Sequence, residues 1–245
     1  MDKGIGFNRT VFRSWLDATA AFCAETDDAE QLRARLGPVV AQHLTGDEAR
    51  RKTIDVLLNI WLKTRDAVPR LRDWAVEWFH MSPAVSDRLW LHYGLALSAY
   101  SFFRECVATV GRQSRLEAAV TTRMVKDRMA AEMGHLGSLD RSVERVVASL
   151  RDWEVLTDTP QRYVYRPQRR AFEASSPDLE TWMLACSLHA HPAEELPFAD
   201  LLRLPELFPF RFTATVKALR TDPRFDVQRR GPGWEMVRLT SSRLR

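Results

Sequence analysis

The most informative pattern in the sequence is at residues 138–170, SLDRSVERVVASLRDWEVLTDTPQRYVYRPQRR. Ser138 is of a type that caps helices, and apolar residues then recur at the i, i+3/i+4, i+7 spacing of one helical face. These residues are Leu139, Val143, Val146, Val147, Leu150 and Trp153. After the helix, a short apolar pair, a Thr-Asp-Thr-Pro turn and an alternating run from Tyr163 to Tyr165 indicate a β-hairpin. A helix followed by a hairpin predicts the second half of a winged helix.

The segment before it, residues 121–133, predicts a shorter helix that Gly134 and Gly137 would end. Residues 119–170 are therefore expected to form a winged-helix module. In a helix-turn-helix protein the helix after the turn enters the major groove of DNA, and the hairpin lies over the DNA backbone. The residues expected to contact DNA from the two helices are Arg123, Lys126, Arg141, Ser142 and Arg145.

The N-terminal part of the chain, residues 1–118, predicts a helical bundle. Apolar stripes at helical spacing run through residues 11–22 and 32–44. Residues 54–62, IDVLLNIWL, are apolar on most faces, which is typical of a helix buried among others. One long helix is expected to start at Ser82-Pro83 and to continue through Val110.

Residues 177–245 repeat the plan of the middle segment. Helices are expected around residues 179–188, 198–204 and 212–219, followed by a hairpin with a glycine-rich tip. Residues 168–177 would be a linker. The predicted fold class is mainly α, with an N-terminal helical bundle followed by two winged-helix-like modules that carry short β-hairpin wings. The expected DNA contacts of the second module are Arg211, Thr213 and Lys217 near its recognition helix and Arg229 and Arg230 on its wing.

Positive charge is concentrated in the predicted hairpins. Residues 1–119 carry 16 basic and 15 acidic side chains, whereas residues 161–170 carry four arginines and no acid. The guanidinium group suits contacts to phosphates and to guanine edges. An alternative is that arginines on the helix only pair with neighbouring acids on a solvated face. The four arginines of the first hairpin, here called the hairpin arginines, are Arg162, Arg166, Arg169 and Arg170.

Composition and motifs limit the possible classes of function. The N-terminus has no apolar signal-peptide core, and no apolar run approaches the roughly 20 residues of a membrane span. We therefore expect a cytoplasmic protein that has no membrane partner. Three separated cysteines, Cys23, Cys106 and Cys186, indicate reduced core thiols.

Catalytic and metal-binding patterns are sparse. Cys186, His189 and His191 lie close together, but their spacing is not that of a known zinc site. The P-loop, GxGxxG, GxSxG and HExxH motifs are absent from the sequence. We therefore expect no enzymatic activity, no cofactor and no metal site.

Three sequence runs resemble a known family. They are LWLHYGLALSAYSFFRECV at residues 89–107, TTRMVKDRMAAEMG at residues 121–134 and VERVVASLRDWEVL at residues 143–156. Their order resembles the BrxA family of bacterial BREX phage-defence systems over residues 10–165. The resemblance implies a cytoplasmic, non-enzymatic, mostly helical protein that binds DNA beside larger methyltransferase, ATPase and phosphatase-like partners. The segment after Pro177 departs from the shorter members of that family.

Two hypotheses follow from the sequence. The first is a protein that binds double-stranded DNA through a recognition helix and arginine-rich wings, with most of its affinity electrostatic. The second is an adaptor whose winged helices and aromatic bundle assemble a larger protein complex. RNA is less expected, because the sequence shows neither an RNP-type aromatic platform nor a KH-type GxxG loop in the right context.

Overall fold

The computed structural model describes residues 6–81, 84–134, 137–231 and 234–240, and it confirms the prediction of a mainly helical chain. Helices with apolar stripes pack around a core rich in aromatic side chains, because each stripe is stable only against another one. The N-terminal helices are α1 (Arg13–Cys23), α2 (Ala29–Ala41), α3 (Asp47–Trp61), α4 (Thr64–Ala67), α5 (Pro69–Met81), α6 (Val85–Ala99) and α7 (Ser101–Leu116).

The long helix expected through Val110 is wrong, because the chain breaks into α6 and α7 at Tyr100. The backbone of Tyr100 is extended, with φ −135° and ψ 105°, so this residue ends one helix and begins the next. Its ring packs edge-on against Phe7, and its hydroxyl accepts a hydrogen bond from Asn59 at 2.9 Å. These tertiary contacts override the helical spacing of the sequence. The predicted start at Ser82-Pro83 lies outside the described residues.

The middle segment contains two helices and a small sheet. Its elements are β1 (Val120–Thr121), α8 (Thr122–Met133), α9 (Leu139–Asp152), β2 (Leu156–Asp158) and β3 (Val164–Pro167). The three strands are antiparallel in the order β1-β3-β2. Thr121 caps α8 through its hydroxyl, and Gly134 ends α8 with φ 83°, a value that glycine adopts without strain. Ser138 occupies the N-cap position of α9, but its side chain makes no capping hydrogen bond.

The C-terminal segment also combines helices with a three-stranded antiparallel sheet, but it contains additional elements. Its elements are β4 (Phe172–Glu173), α10 (Pro177–Ala190), β5 (Glu195–Pro197), α11 (Phe198–Leu201), a 3-10 turn (Pro205–Leu207), β6 (Phe210–Arg211), α12 (Val216–Thr221), β7 (Phe225–Gly231) and β8 (Trp234–Leu239). Three antiparallel strands are ordered β5-β8-β7, which matches the order in the middle segment.

Two predictions for this part of the chain are wrong. The third helix begins at Val216 and not near Phe212, because Phe210 and Arg211 form β6, which pairs in parallel with β4. The stretch predicted to be a linker, residues 168–177, contains β4 and is therefore held against the C-terminal segment. The amide of Arg170 donates a hydrogen bond to the carbonyl oxygen of Phe208 at 2.9 Å.

The C-terminal segment shares one hydrophobic core with the N-terminal helices. The ring of Trp182 on α10 lies so close to α6 that a methyl group at Gly94 would be 2.5 Å from it. The Trp182 indole also donates a hydrogen bond to the carbonyl oxygen of Leu71 at 2.9 Å. A methyl group at Gly111 on α7 would lie 1.9 Å from the carbonyl oxygen of Pro205. Both helices therefore approach their neighbours at distances that only glycine permits.

A buried histidine links three of the N-terminal helices. The indole of Trp61 donates a hydrogen bond to Nδ1 of His92 at 3.2 Å, so Nε2 carries the proton and donates to Asp17 at 3.0 Å. Burial lowers the pKa of His92, although the hydrogen bond with Asp17 opposes this shift. The folded protein therefore holds His92 in its neutral form at neutral pH.

This network predicts that stability falls on mild acidification. Below the unfolded pKa of about 6.5, the unfolded chain takes up a proton that the folded chain does not take up at His92. We expect the free energy of unfolding to drop by about 1 kcal/mol between pH 6.5 and pH 5.5, and we expect His92→Gln to remove this part of the drop. Urea unfolding at several pH values measures this drop in the free energy of unfolding. The substitution His43→Gln, at an exposed histidine, is the matched control. An unchanged pH profile in His92→Gln would contradict the assignment.

Candidate nucleic-acid interface

A groove of about 790 Å³ lies between α8, α9 and the β2–β3 hairpin. The capped start of α8 and the amphipathic face of α9 set its two walls, since the apolar stripes of both helices turn toward the core. The ring of Tyr163 closes the groove at the hairpin end. Its charged lining residues are Arg123, Lys126, Asp127, Asp140, Glu144, Arg145 and Arg151.

Several of the predicted cations in this groove are bound to acids. Lys126 lies 2.6 Å from the carboxylate of Glu144 and 4.0 Å from that of Asp140. Arg123 lies 3.7 Å from Asp127 and is highly exposed, so this pair contributes little to stability. Lys126 is therefore less available to an anionic ligand than its position in the sequence indicates.

Arg141 and Arg145 remain available on α9. Both are exposed and lie four residues apart, on the same face of the helix. Neither forms an ion pair with any residue that the structure describes, although acidic neighbours are present on α9. Arg128 on α8 is also exposed and has no ion pair within the described ranges. The alternative interpretation predicts that the arginines of α9 pair with neighbouring acids. Arg141 and Arg145 form no such pair with a described residue.

The expectation that Ser142 faces the groove is wrong. Its side chain is buried, because residue 142 falls within the apolar stripe that contains Leu139, Val143 and Val146. A small side chain at this point lets α9 pack closely against the core. The helical spacing places Arg141 and Arg145 together on the solvent side and turns Ser142 away from them.

The hairpin arginines are all exposed, and none has an ion pair with a described residue. Arg162 lies over the ring of Tyr163, with its guanidinium carbon 4.7 Å from the ring centroid. Arg166 alternates along β3 with the buried Tyr165, so the two side chains project from opposite faces of the sheet. The hairpin arginines therefore surround the hairpin and do not line the groove itself.

The predicted contacts of the C-terminal segment are dispersed. Arg211 lies in β6 and pairs with Glu173 at 2.6 Å, so its predicted position near a recognition helix is wrong. Thr213 precedes α12, and its amide and hydroxyl bind the buried carboxylate of Glu180 at 2.6 and 2.8 Å. These hydrogen bonds anchor the loop before α12, and Thr213 is therefore not part of that helix.

The remaining predicted residues of this segment differ in availability. Lys217 is exposed on α12, and Arg229 is exposed on β7 without an ion pair to a described residue. Arg230 pairs with Glu195 across the sheet at 2.9 Å. Fewer free cations are therefore present on this hairpin than on the first one.

Sequence reasoning missed two features of the groove. Arg151 lines it and is held by Asp158 at 2.8 Å, and this hydrogen bond raises the pKa of Arg151. The signal was present, since Arg151 belongs to the polar stripe of α9. Tyr163 lies at the mouth of the groove with φ 64°, a backbone conformation that the alternating sequence of the hairpin does not indicate.

The cysteine and histidine residues near the end of α10 do not converge on one point. Cys186 is fully buried, which raises the pKa of its thiol to about 12. His191 accepts a hydrogen bond from the amide of Ala193 at 3.1 Å. Within the described parts of the chain, no three His, Cys, Asp or Glu side chains are placed to hold a metal ion.

No helix in the described ranges combines the length and apolar character that a bilayer crossing requires. Comparison of the chain with protein-family models, with curated proteins and with solved structures finds no match.

Proposed function

We propose that the protein binds double-stranded DNA through a winged-helix module formed by α7 to β3. The order helix, strand, helix, helix, hairpin and the strand order β1-β3-β2 support this proposal. In it, α9 is the recognition helix and the β2–β3 hairpin is the wing. The observation that carries the proposal is the set of exposed arginines on α9 and the hairpin that have no acidic partner among the described residues.

The chemistry of these arginines suits two kinds of DNA contact. Arg141 and Arg145 project from one face of α9, where a guanidinium group can bind guanine edges in the major groove. The hairpin arginines lie outside the groove and suit phosphates on either side of the helix contact. The C-terminal segment, with the equivalent strand order β5-β8-β7, is proposed as a second winged-helix-like module.

The resemblance to the BrxA family extends the proposal to a cytoplasmic, non-enzymatic component of a BREX-type defence system. The acidic side chains in the groove would also affect the affinity of the module for DNA. Asp140 and Glu144 lie on the proposed recognition helix, where they would approach the phosphates, and Lys126 pairs closely with Glu144 in the free protein. The negative charge of Glu144, and the ion pair that occupies Lys126, therefore limit the affinity of the module for DNA.

This arrangement predicts that Glu144→Gln tightens DNA binding. The substitution removes a negative charge from the proposed interface and frees Lys126 for a phosphate contact. We expect affinity to rise about threefold to tenfold and the salt exponent to grow by about 0.9. Fluorescence anisotropy at two salt concentrations measures both quantities. Glu77→Gln, an equal charge change on the exposed surface of α5, is the control. Weaker binding by Glu144→Gln would contradict the placement of α9 against DNA.

The direct test of the proposal is a titration of a mixed-sequence duplex of about 30 base pairs. Binding at low salt that weakens steeply as salt rises is the expected result, because each phosphate contact releases a counterion. Absence of binding at low salt would overturn the proposal. The protein would then be better explained as an adaptor, with the arginines meeting an acidic protein surface.

A further inference from the structure

Two exposed aromatic side chains stand at the tips of the two hairpins. Five large apolar side chains are exposed among the described residues. Tyr163 is 56% exposed immediately before β3, and Trp234 is 63% exposed as the first residue of β8. Each lies where the chain enters the second strand of its hairpin. Both rings are more than half exposed, so most of their surface is available to a ligand.

The tip of the first hairpin is braced around Tyr163. The hydroxyl of Thr159 lies 2.8 Å from the carbonyl oxygen of Val164, and the amide of Thr122 donates to the carbonyl oxygen of Tyr163 at 3.3 Å. The backbone of Tyr163 has φ 64°, which is strained for a bulky side chain. The fold thus holds this ring at the mouth of the groove.

Trp234 occupies a comparable place in the second hairpin. It pairs with Gly231 across the hairpin and lines a cavity of about 270 Å³ together with Phe198 and Val216. The exposed Arg229 lies on the strand opposite, whereas Arg230 on the same strand pairs with Glu195. An exposed aromatic ring and an exposed arginine therefore occur in both hairpins.

We propose that Tyr163 and Trp234 are base-stacking residues that bind unstacked bases in duplex DNA. This inference rests on the proposed function and adds the form of DNA that is preferred. Aromatic side chains stack on bases of any sequence, and apolar wedges on narrow elements enter between base steps that are easily unstacked. The neighbouring arginines hold the phosphates beside the inserted ring, and Arg162 already supports one face of Tyr163. The ligand is a duplex with a mismatch or a flexible step.

The inference is tested with two duplexes of about 30 base pairs, one fully matched and one with a central mismatch next to 2-aminopurine. We expect the native protein to prefer the mismatched duplex by about fivefold or more, because one stacked base contributes at least that factor. The fluorescence of 2-aminopurine should change on binding. The double variant Tyr163→Ala/Trp234→Ala should lose both effects, so that its affinities for the matched and the mismatched duplex become equal. Tyr163→Phe/Trp234→Phe, which retains both rings, should keep the preference.

The outcomes separate this inference from the function on which it rests. Salt-dependent binding of the matched duplex with no preference for the mismatch would overturn base stacking and leave the DNA-binding proposal standing. Equal preference in the native protein and the alanine variant would also overturn it. No binding of either duplex at low salt would overturn both proposals.

Discussion

Replacing the four hairpin arginines by alanine is expected to weaken binding to duplex DNA at least about 100-fold at 50 mM salt. Each lost phosphate contact removes about 0.9 from the salt exponent, so the variant should show an exponent smaller by about 3.6. All four side chains are exposed and none has an ion pair with a described residue, so the substitution leaves no buried charge unpaired. The loss should be similar for every DNA sequence, because phosphates carry no sequence information.

The matched control removes four cations from the N-terminal bundle. Arg51, Lys63, Arg65 and Arg70 are exposed on α3 to α5 or between them, so their replacement by alanine changes the net charge equally. This control should retain most of the affinity, since surface charges far from the interface are screened. Anisotropy titrations at several salt concentrations measure the affinity and the salt exponent of both variants. Equal losses in the two variants would show that net charge, and not the hairpin, binds DNA.

The substitution Gly111→Ala is expected to have the largest effect on stability. The added methyl group would lie 1.9 Å from the carbonyl oxygen of Pro205 and 3.1 Å from the ring of Phe208. A backbone atom cannot move aside as a flexible side chain does, so α7 and the 3-10 turn must separate. We expect the free energy of unfolding to fall by about 3 kcal/mol or more, which lowers Tm by about 6–12 °C.

Gly37→Ala is the matched control for this prediction. Gly37 lies within α2 and has no neighbour within 4 Å of an added methyl group. There the same substitution should change the free energy of unfolding by less than about 1 kcal/mol, because the helix-forming advantage of alanine is offset by Pro38, which disfavours the helical conformation of the residue before it. Thermal and urea unfolding compare the two variants. A Gly111→Ala protein as stable as the native one would show that α7 does not pack on the turn at Pro205 as described.

The sequence predicts most helices because their stability comes from apolar stripes that are visible at helical spacing. The stripe of α9 and the two hairpins are examples in which local pattern and tertiary structure agree. The break at Tyr100 is invisible in the pattern, because it depends on Phe7 and Asn59, which are distant along the chain. The start of α12 was misplaced for a similar reason, since residues 210–211 pair with β4.

The candidate site could be predicted only in part. Positive charge in the first hairpin and on α9 is a property of composition, and the described side chains remain exposed there. Which cations are free depends on contacts across elements. Lys126 of α8 reaches Glu144 of α9, and Arg211 of β6 reaches Glu173 of β4. Such pairs bring together residues far apart in sequence, so charge counts along the chain do not reveal them.

The packing of α10 against α6 has a consequence for synthesis on the ribosome. α6 is buried along nearly its whole length, and Trp182 of α10 covers it at Gly94. At a translation rate of roughly 5–20 residues per second, α10 emerges on the order of ten seconds after α6. During this interval the nascent chain exposes the side of α6 that α10 will cover. Trp90 of α6 remains uncovered for longer, because its neighbours Phe210 and Phe212 are synthesised after α10. We therefore expect the unfinished chain to expose aromatic surface that the complete chain buries.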